Sequence, residues 1–122
     1  MDEIYAFDRM EFKDGKEFEQ YCAQLLCNNG YTEVRLTGHT DHGVDILARK
    51  DGKLFAFQCK LRSKAKVSRE AVEQIYTGKT LYGADEGVIL SNVELTRGAH
   101  LDALRLGIKV WSRYYLCLLS EK

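Results

Sequence analysis

Asp51-Gly52 divides two runs of strand-forming residues, Val44 to Lys50 and Lys53 to Lys60. Asp-Gly is a strong signal for a two-residue hairpin loop, because both central positions of a type I′ turn need positive φ. A loop of that length sets the pairing. Lys50 faces Lys53, every opposed pair sums to 103, and Asp45 falls across from Gln58 with Cβ atoms about 5 Å apart. Side chains alternate along a strand, so Lys60 projects to the face of Asp45 and Gln58, while Phe55, Phe57 and Cys59 point the other way and read as core. Local sequence alone therefore gathers a carboxylate, an amide and an ammonium at one end of a hairpin.

The rest of the chain supplies layers for that hairpin. A helix is expected from about Lys16 to Asn29, with Asp14 as N-cap, Glu17 three residues on and Gly30 as the stop. Phe18, Tyr21, Cys22, Leu25 and Leu26 form its apolar face. A strand from Tyr31 to Thr37 and the polar turn Gly38-His39-Thr40-Asp41-His42-Gly43 lead into the hairpin. Ser68 caps a second helix to about Tyr82, with Val72, Ile75 and Tyr76 inward. Glu86 to Ser91 reads as a strand, Thr96 caps a third helix through Leu106, and Lys109 to Ser112 and Tyr115 to Leu119 read as closing strands. The order is αβββαβαββ, an α/β single domain over residues 1–122 with helices covering a mixed sheet.

Composition removes several function classes. The 122 residues are 45% hydrophobic, enough for a core, and no apolar run approaches the ~20 residues a membrane-spanning helix needs. The four cysteines, Cys22, Cys27, Cys59 and Cys117, form no CxxC pair, and no histidine pair has zinc-ligand spacing. Buried thiols in a reducing cytoplasm are the simplest account. Eighteen basic residues balance eighteen acidic ones, but unevenly: residues 49–69 hold eight bases and one acid, Asp51. Nucleic-acid binding follows local potential, so a neutral total does not argue against it.

The clustered side chains suit metal-assisted phosphodiester cleavage. Mg²⁺ wants oxygen ligands, which Asp45, the Gln58 amide oxygen and the backbone carbonyl of Cys59 can begin to supply. Lys60 can position the nucleophile or stabilise charge on a scissile phosphate. A plain Asp–Lys salt bridge at a sheet edge reads from the same residues. Glu19 borders the apolar arc of the first helix, from which its carboxylate can reach over the sheet. From Lys60 to Arg69 five cations occur in ten residues, and Arg62, Lys64, Lys66 and Arg69 fit salt-sensitive phosphate contacts. Ser68 at the second helix's N-terminus can receive a phosphate. His39 and His42, in the glycine-flanked turn, are candidates to touch substrate or metal.

The motifs Phe18-Glu19 with Leu25-Leu26 and Gly30-Tyr31, Asp41-His42-Gly43-Val44-Asp45-Ile46, Gln58-Cys59-Lys60, Ala71-Val72 with Gly78, Val88-Ile89-Leu90-Ser91-Asn92, Thr96 with Ala99, and Val110-Trp111-Ser112-Arg113 complete a pattern. From about Asp8 to Leu116 the chain resembles the Mrr-type restriction endonuclease domain, a branch of the PD-(D/E)xK nucleases. The resemblance implies a restriction-endonuclease-like three-layer sandwich and DNA cleavage dependent on Mg²⁺ or Mn²⁺. By position it makes Asp45, Gln58 and Glu19 metal-site residues and Lys60 the catalytic lysine. Gln58 replaces the acid of the general motif, as is characteristic of this branch, Val44 stands in place of its proline, and Ser112 stands where relatives often carry Asp.

Two other readings stay open: a non-cleaving DNA-binding module on the same fold, and a nuclease for branched DNA such as a junction resolvase. DNA is the expected partner, with no membrane. One site addresses one phosphate at a time, so a homodimer is expected, with Trp111, Tyr114, Tyr115, Leu116, Leu118 and Leu119 as candidate contact surface.

Overall fold

The computed structural model describes residues 6–38 and 42–121. After a short 3-10 turn, Ala6–Arg9, come α1 (Gly15–Asn28), β1 (Thr32–Leu36), β2 (Ile46–Lys50), β3 (Lys53–Lys60), α2 (Arg69–Tyr82), β4 (Glu86–Ser91), α3 (Arg97–Leu106), β5 (Lys109–Trp111) and α4 (Arg113–Ser120). The five strands form one sheet in sequence order. β1, β2 and β3 pair antiparallel, and β3, β4 and β5 pair parallel through the α2 and α3 crossovers.

Two cores lie on opposite faces of this mixed sheet, making three layers. On one face α1 brings Phe18, Cys22, Leu25 and Leu26, and α4 brings Leu116 and Cys117, onto Ile46, Phe55, Phe57, Val88, Leu90 and Trp111. On the other, α2 and α3 lay Ala71, Val72, Ile75, Ala99 and Ala103 over Leu47, Ala56 and Ile89. Phe55 and Phe57 against Ala56 is the two-residue period of a strand buried on both sides. Asp14 caps α1, its Oδ1 accepting the Glu17 N–H at 2.9 Å, and Thr96 caps α3 through the Ala99 N–H at 3.2 Å.

The hairpin register is the expected one, Lys50 opposite Lys53 through Ile46 opposite Phe57. It stops one residue short of Asp45. His42 and Gly43, just before it, take the left-handed φ values 52° and 78°. The Asp45 N–H then donates to Phe57 O at 2.7 Å, so Asp45 joins the site from just outside the ladder instead of as the cross-strand partner of Gln58.

Two further expectations are corrected. Tyr115 to Leu119 is helix, not strand: within α4, Leu116 and Cys117 face the core, and Tyr115 stacks on Trp111 four residues back at 4.8 Å. The helix also holds the N-terminal turn, where the Phe7 N–H donates to Ser120 Oγ at 3.2 Å. Trp111 and Leu116 thereby belong to the interior, and Tyr114, Tyr115 and Leu118 stay exposed. Tyr76 is exposed as well, because the inner stripe of α2 runs through Ala71, Val72, Ile75 and Gly78. Among the described residues no helix is long and apolar enough to cross a membrane.

Candidate active site

β3 delivers Gln58, Cys59 and Lys60 to its C-terminal end, where loop 42–45, α1 and α2 converge around a cleft of about 550 Å³. Asp45, Gln58, Lys60 and Glu19 all line it, and His42 stands at its wall. The carboxylate of Asp45 is oriented by the backbone: its Oδ2 accepts the Cys59 N–H at 2.7 Å. Gln58 is 1% exposed. Its Nε2 donates to Gln74 Oε1 at 2.9 Å, and its Oε1 has no hydrogen-bond partner among the described residues. A buried polar atom without a partner costs about 1–3 kcal/mol, so this oxygen fits a position that awaits an electrophile.

Asp45 and Glu19 carboxylates, the Gln58 amide and nearby carbonyls are all hard oxygen donors of the kind Mg²⁺ and Mn²⁺ take. Among the described residues no three His, Cys, Asp or Glu side chains cluster as a conventional metal centre. Cys59 turns its side chain to the opposite core. Burial, a hydrogen bond with Cys22 and the charges of Asp45 and Glu19 push its thiol well above the ordinary value. It is an apolar support, not a soft ligand.

Two glycines make the cleft possible. A Cβ on Gly43 would sit 2.8 Å from Gln74 Cβ and 2.9 Å from Gln58 Nε2, and one on Gly78 would sit 2.6 Å from the His42 carbonyl. Without side chains, loop 42–44 and α2 press together over Gln58.

The basic strip divides. Arg62, Lys64, Lys66 and Ser68 are exposed, and Lys60, Arg62, Ser68 and Gln74 share a second hollow of about 160 Å³ beside the cleft. Ser68 caps α2 without a side-chain bond. Arg69 turns aside to pair with Asp102 on α3 at 3.3 Å. His39 lies outside the described residues. Sequence reasoning passed over Glu70, Glu73, Thr77 and above all Gln74, which line the cleft from α2. The signal was available for Gln74: it falls three residues after Ala71 and four before Gly78, on an otherwise apolar arc.

The family model Mrr_cat, described as restriction endonuclease, matches residues 10–119. The crossover junction endodeoxyribonuclease Hjc of Methanocaldococcus jannaschii is 30% identical over 77 residues, 62% of this chain and 56% of that protein. The chain thus spans little more than half the length of this curated relative. Among solved structures, MspJI restriction endonuclease in complex with a 27-mer oligonucleotide superposes with TM-score 0.66 and 18% identity, over 84% of this chain and 26% of that one. Hjc of Archaeoglobus fulgidus, a Holliday junction resolvase, gives 0.50 and 26%, over 68% of this chain and 70% of that one. A match covering nearly the whole chain, on a mixed sheet that carries Asp45, Gln58 and Lys60 at one strand end, places this chain in the Mrr_cat restriction endonuclease family.

Proposed function

We propose that this chain hydrolyses DNA phosphodiester bonds with Mg²⁺ or Mn²⁺ held by Asp45, Gln58 and the Cys59 carbonyl, with Glu19 acting through water and Lys60 as the cationic catalytic group. The observation that carries this reading is the buried Gln58 Oε1, without a partner among the described residues, on a side chain that lines the same cleft as Asp45 and Lys60. A bound dication would polarise the phosphate and make a water nucleophilic near neutral pH. Asp45 contributes a carboxylate already fixed by the Cys59 N–H. Lys60 brings positive charge to the cleft, where it stabilises the charge that grows on the phosphate as attack proceeds. Arg62, Lys64 and Lys66 track the backbone of the bound strand, and Ser68 and His42 lie where they can touch it. A homodimer, with exposed Tyr114, Tyr115 and Leu118 as contact surface, would set two such sites on a two-fold duplex.

Branched DNA is the second substrate reading, favoured by the 30% identity to a crossover junction endodeoxyribonuclease. Incubating linear, supercoiled, methylated and four-way-junction DNA with Mg²⁺, Mn²⁺ or EDTA tests both. Product from any of them, suppressed by EDTA, supports the nuclease reading, and a marked preference for the junction selects the second. No product from any substrate with either metal, at a protein concentration that binds DNA, leaves the non-cleaving module.

Asp45→Asn should keep the fold, since an amide oxygen still accepts from Cys59, yet weaken Mn²⁺ binding by about tenfold or more. Glu19→Gln should weaken it less. Calorimetric titration compares them, and unaltered affinity in both variants would reduce the cluster to a structural ion pair. Neutralising Arg62, Lys64 and Lys66 together should make the slope of log affinity against log salt shallower by about two to three, because each lost phosphate contact retains a counterion. Metal affinity should not change. A steep slope in the triple variant would move the DNA to another surface.

A further inference from the structure

A glutamine is a demanding metal ligand, because only one end of its amide carries an oxygen. A carboxylate presents oxygen whichever way it turns; Gln58 presents either oxygen or NH₂. Something must choose.

The hydrogen bonds around Gln74 make the choice. Lys60 is a donor only, and ionised Glu70 is an acceptor only. Gln74 lies between them, its Oε1 accepting from Lys60 Nζ at 3.4 Å and its Nε2 donating to Glu70 Oε1 at 3.4 Å, one helical turn earlier on α2. Opposite charges at its two ends leave the Gln74 amide one favourable orientation. In that orientation Oε1 also takes the Gln58 NH₂ at 2.9 Å. The remaining end of Gln58 is its oxygen, buried and without a partner among the described residues, on a side chain that lines the cleft. If Gln74 turned over, two NH₂ groups would meet at Gln58, an ammonium would meet an NH₂ at Lys60, and two oxygens would meet at Glu70.

We infer that Gln74 is a positioning residue: it sets the orientation of the Gln58 amide, directing its oxygen to the metal, and the Glu70–Gln74–Lys60 sequence of charges sets Gln74 in turn. This deepens the metal-dependent reading and rests on it. Such a role is separable from mere support. A supporting residue matters whatever occupies position 58, and an orienting residue matters only while position 58 has two unlike ends.

Mn²⁺ titration, by the electron paramagnetic resonance signal of the free ion, is run on the full chain as wild type, Gln74→Met, Gln58→Glu and the double variant. Gln74→Met should weaken Mn²⁺ binding about tenfold or more in the wild-type background. In the Gln58→Glu background the same change should have little effect, because either carboxylate oxygen serves. Gln74→Asn, which keeps the amide but not its reach, should behave like Gln74→Met and replaces it if the methionine variant does not fold. Equal losses in both backgrounds would overturn the orienting role. Unaltered affinity of Gln74→Met in an otherwise wild-type chain would do so too, leaving the metal reading intact. A wild-type chain that takes up no Mn²⁺ would overturn both.

Discussion

Lys60→Ala is expected to lower the rate of DNA cleavage by about 10²–10³-fold, the loss typical of removing one preorganised group that stabilises transition-state charge. Folding should be unaffected. Lys60 is half-buried at the end of β3, and its ammonium donates at 3.4 Å to a Gln74 oxygen that already accepts from Gln58. Truncation therefore leaves no buried partner unpaired. Single-turnover cleavage with saturating Mg²⁺ measures the chemical step, and thermal unfolding of the same preparation checks the fold. A folded Lys60→Ala protein that retains even a tenth of the wild-type rate would remove the lysine from the chemistry.

Gly78→Ala should destabilise the protein in spite of sitting in the middle of a helix. Alanine is favoured over glycine there by about 1 kcal/mol. Against that gain, the new methyl group would lie 2.5 Å from Val44 Cγ2 and 2.6 Å from the His42 carbonyl oxygen. A rotamer change could relieve the first contact. The second is backbone, and it belongs to a loop already pressed on Gln74 and Gln58 through Gly43. Overpacking of this kind costs about 1–3 kcal/mol, so the clash outweighs the propensity and a net loss on the order of 1 kcal/mol remains. Urea unfolding reads it as a lower midpoint at constant slope. Gly15→Ala is the control, since its methyl group would meet nothing within 4 Å. A Gly78→Ala midpoint at or above wild type would mean that loop 42–44 moves away without cost.

What could be read from the sequence was what depends on near neighbours. The Asp51-Gly52 turn sets a register that holds from Lys50 opposite Lys53 to Ile46 opposite Phe57, and with it the faces of Phe57, Gln58, Cys59 and Lys60. Asp45 escaped the rule because two successive left-handed residues, His42 and Gly43, redirect the chain just before it. The α4 segment escaped for another reason. Six residues, Tyr114 to Leu119, are almost all apolar, so neither a two-residue nor a 3.6-residue period stands out. One contact of the helix is with the turn at Ala6–Arg9, more than a hundred residues away in sequence, whose Phe7 N–H donates to the Ser120 hydroxyl. Gln74 belongs with these. Its place on the apolar arc of α2 could be read locally, but its partners Gln58 and Lys60 on β3 could not, because no local pattern announces which strand a helix crosses.

The segment that follows Lys60 is fastened at two points. Asn92 holds the Arg62 backbone from both sides, accepting its N–H at 2.9 Å and donating to its carbonyl at 2.7 Å. Five residues on, Val67 bonds the backbone of Glu94 and Thr96. Between these fastenings lies the exposed stretch 63–66 with Lys64 and Lys66. Both ends of the stretch are thus set by the segment that follows β4, not by the residues between them. A loop anchored in this way can vary in length and charge while its two ends stay in place, so the charge it presents is the part of this face most easily altered.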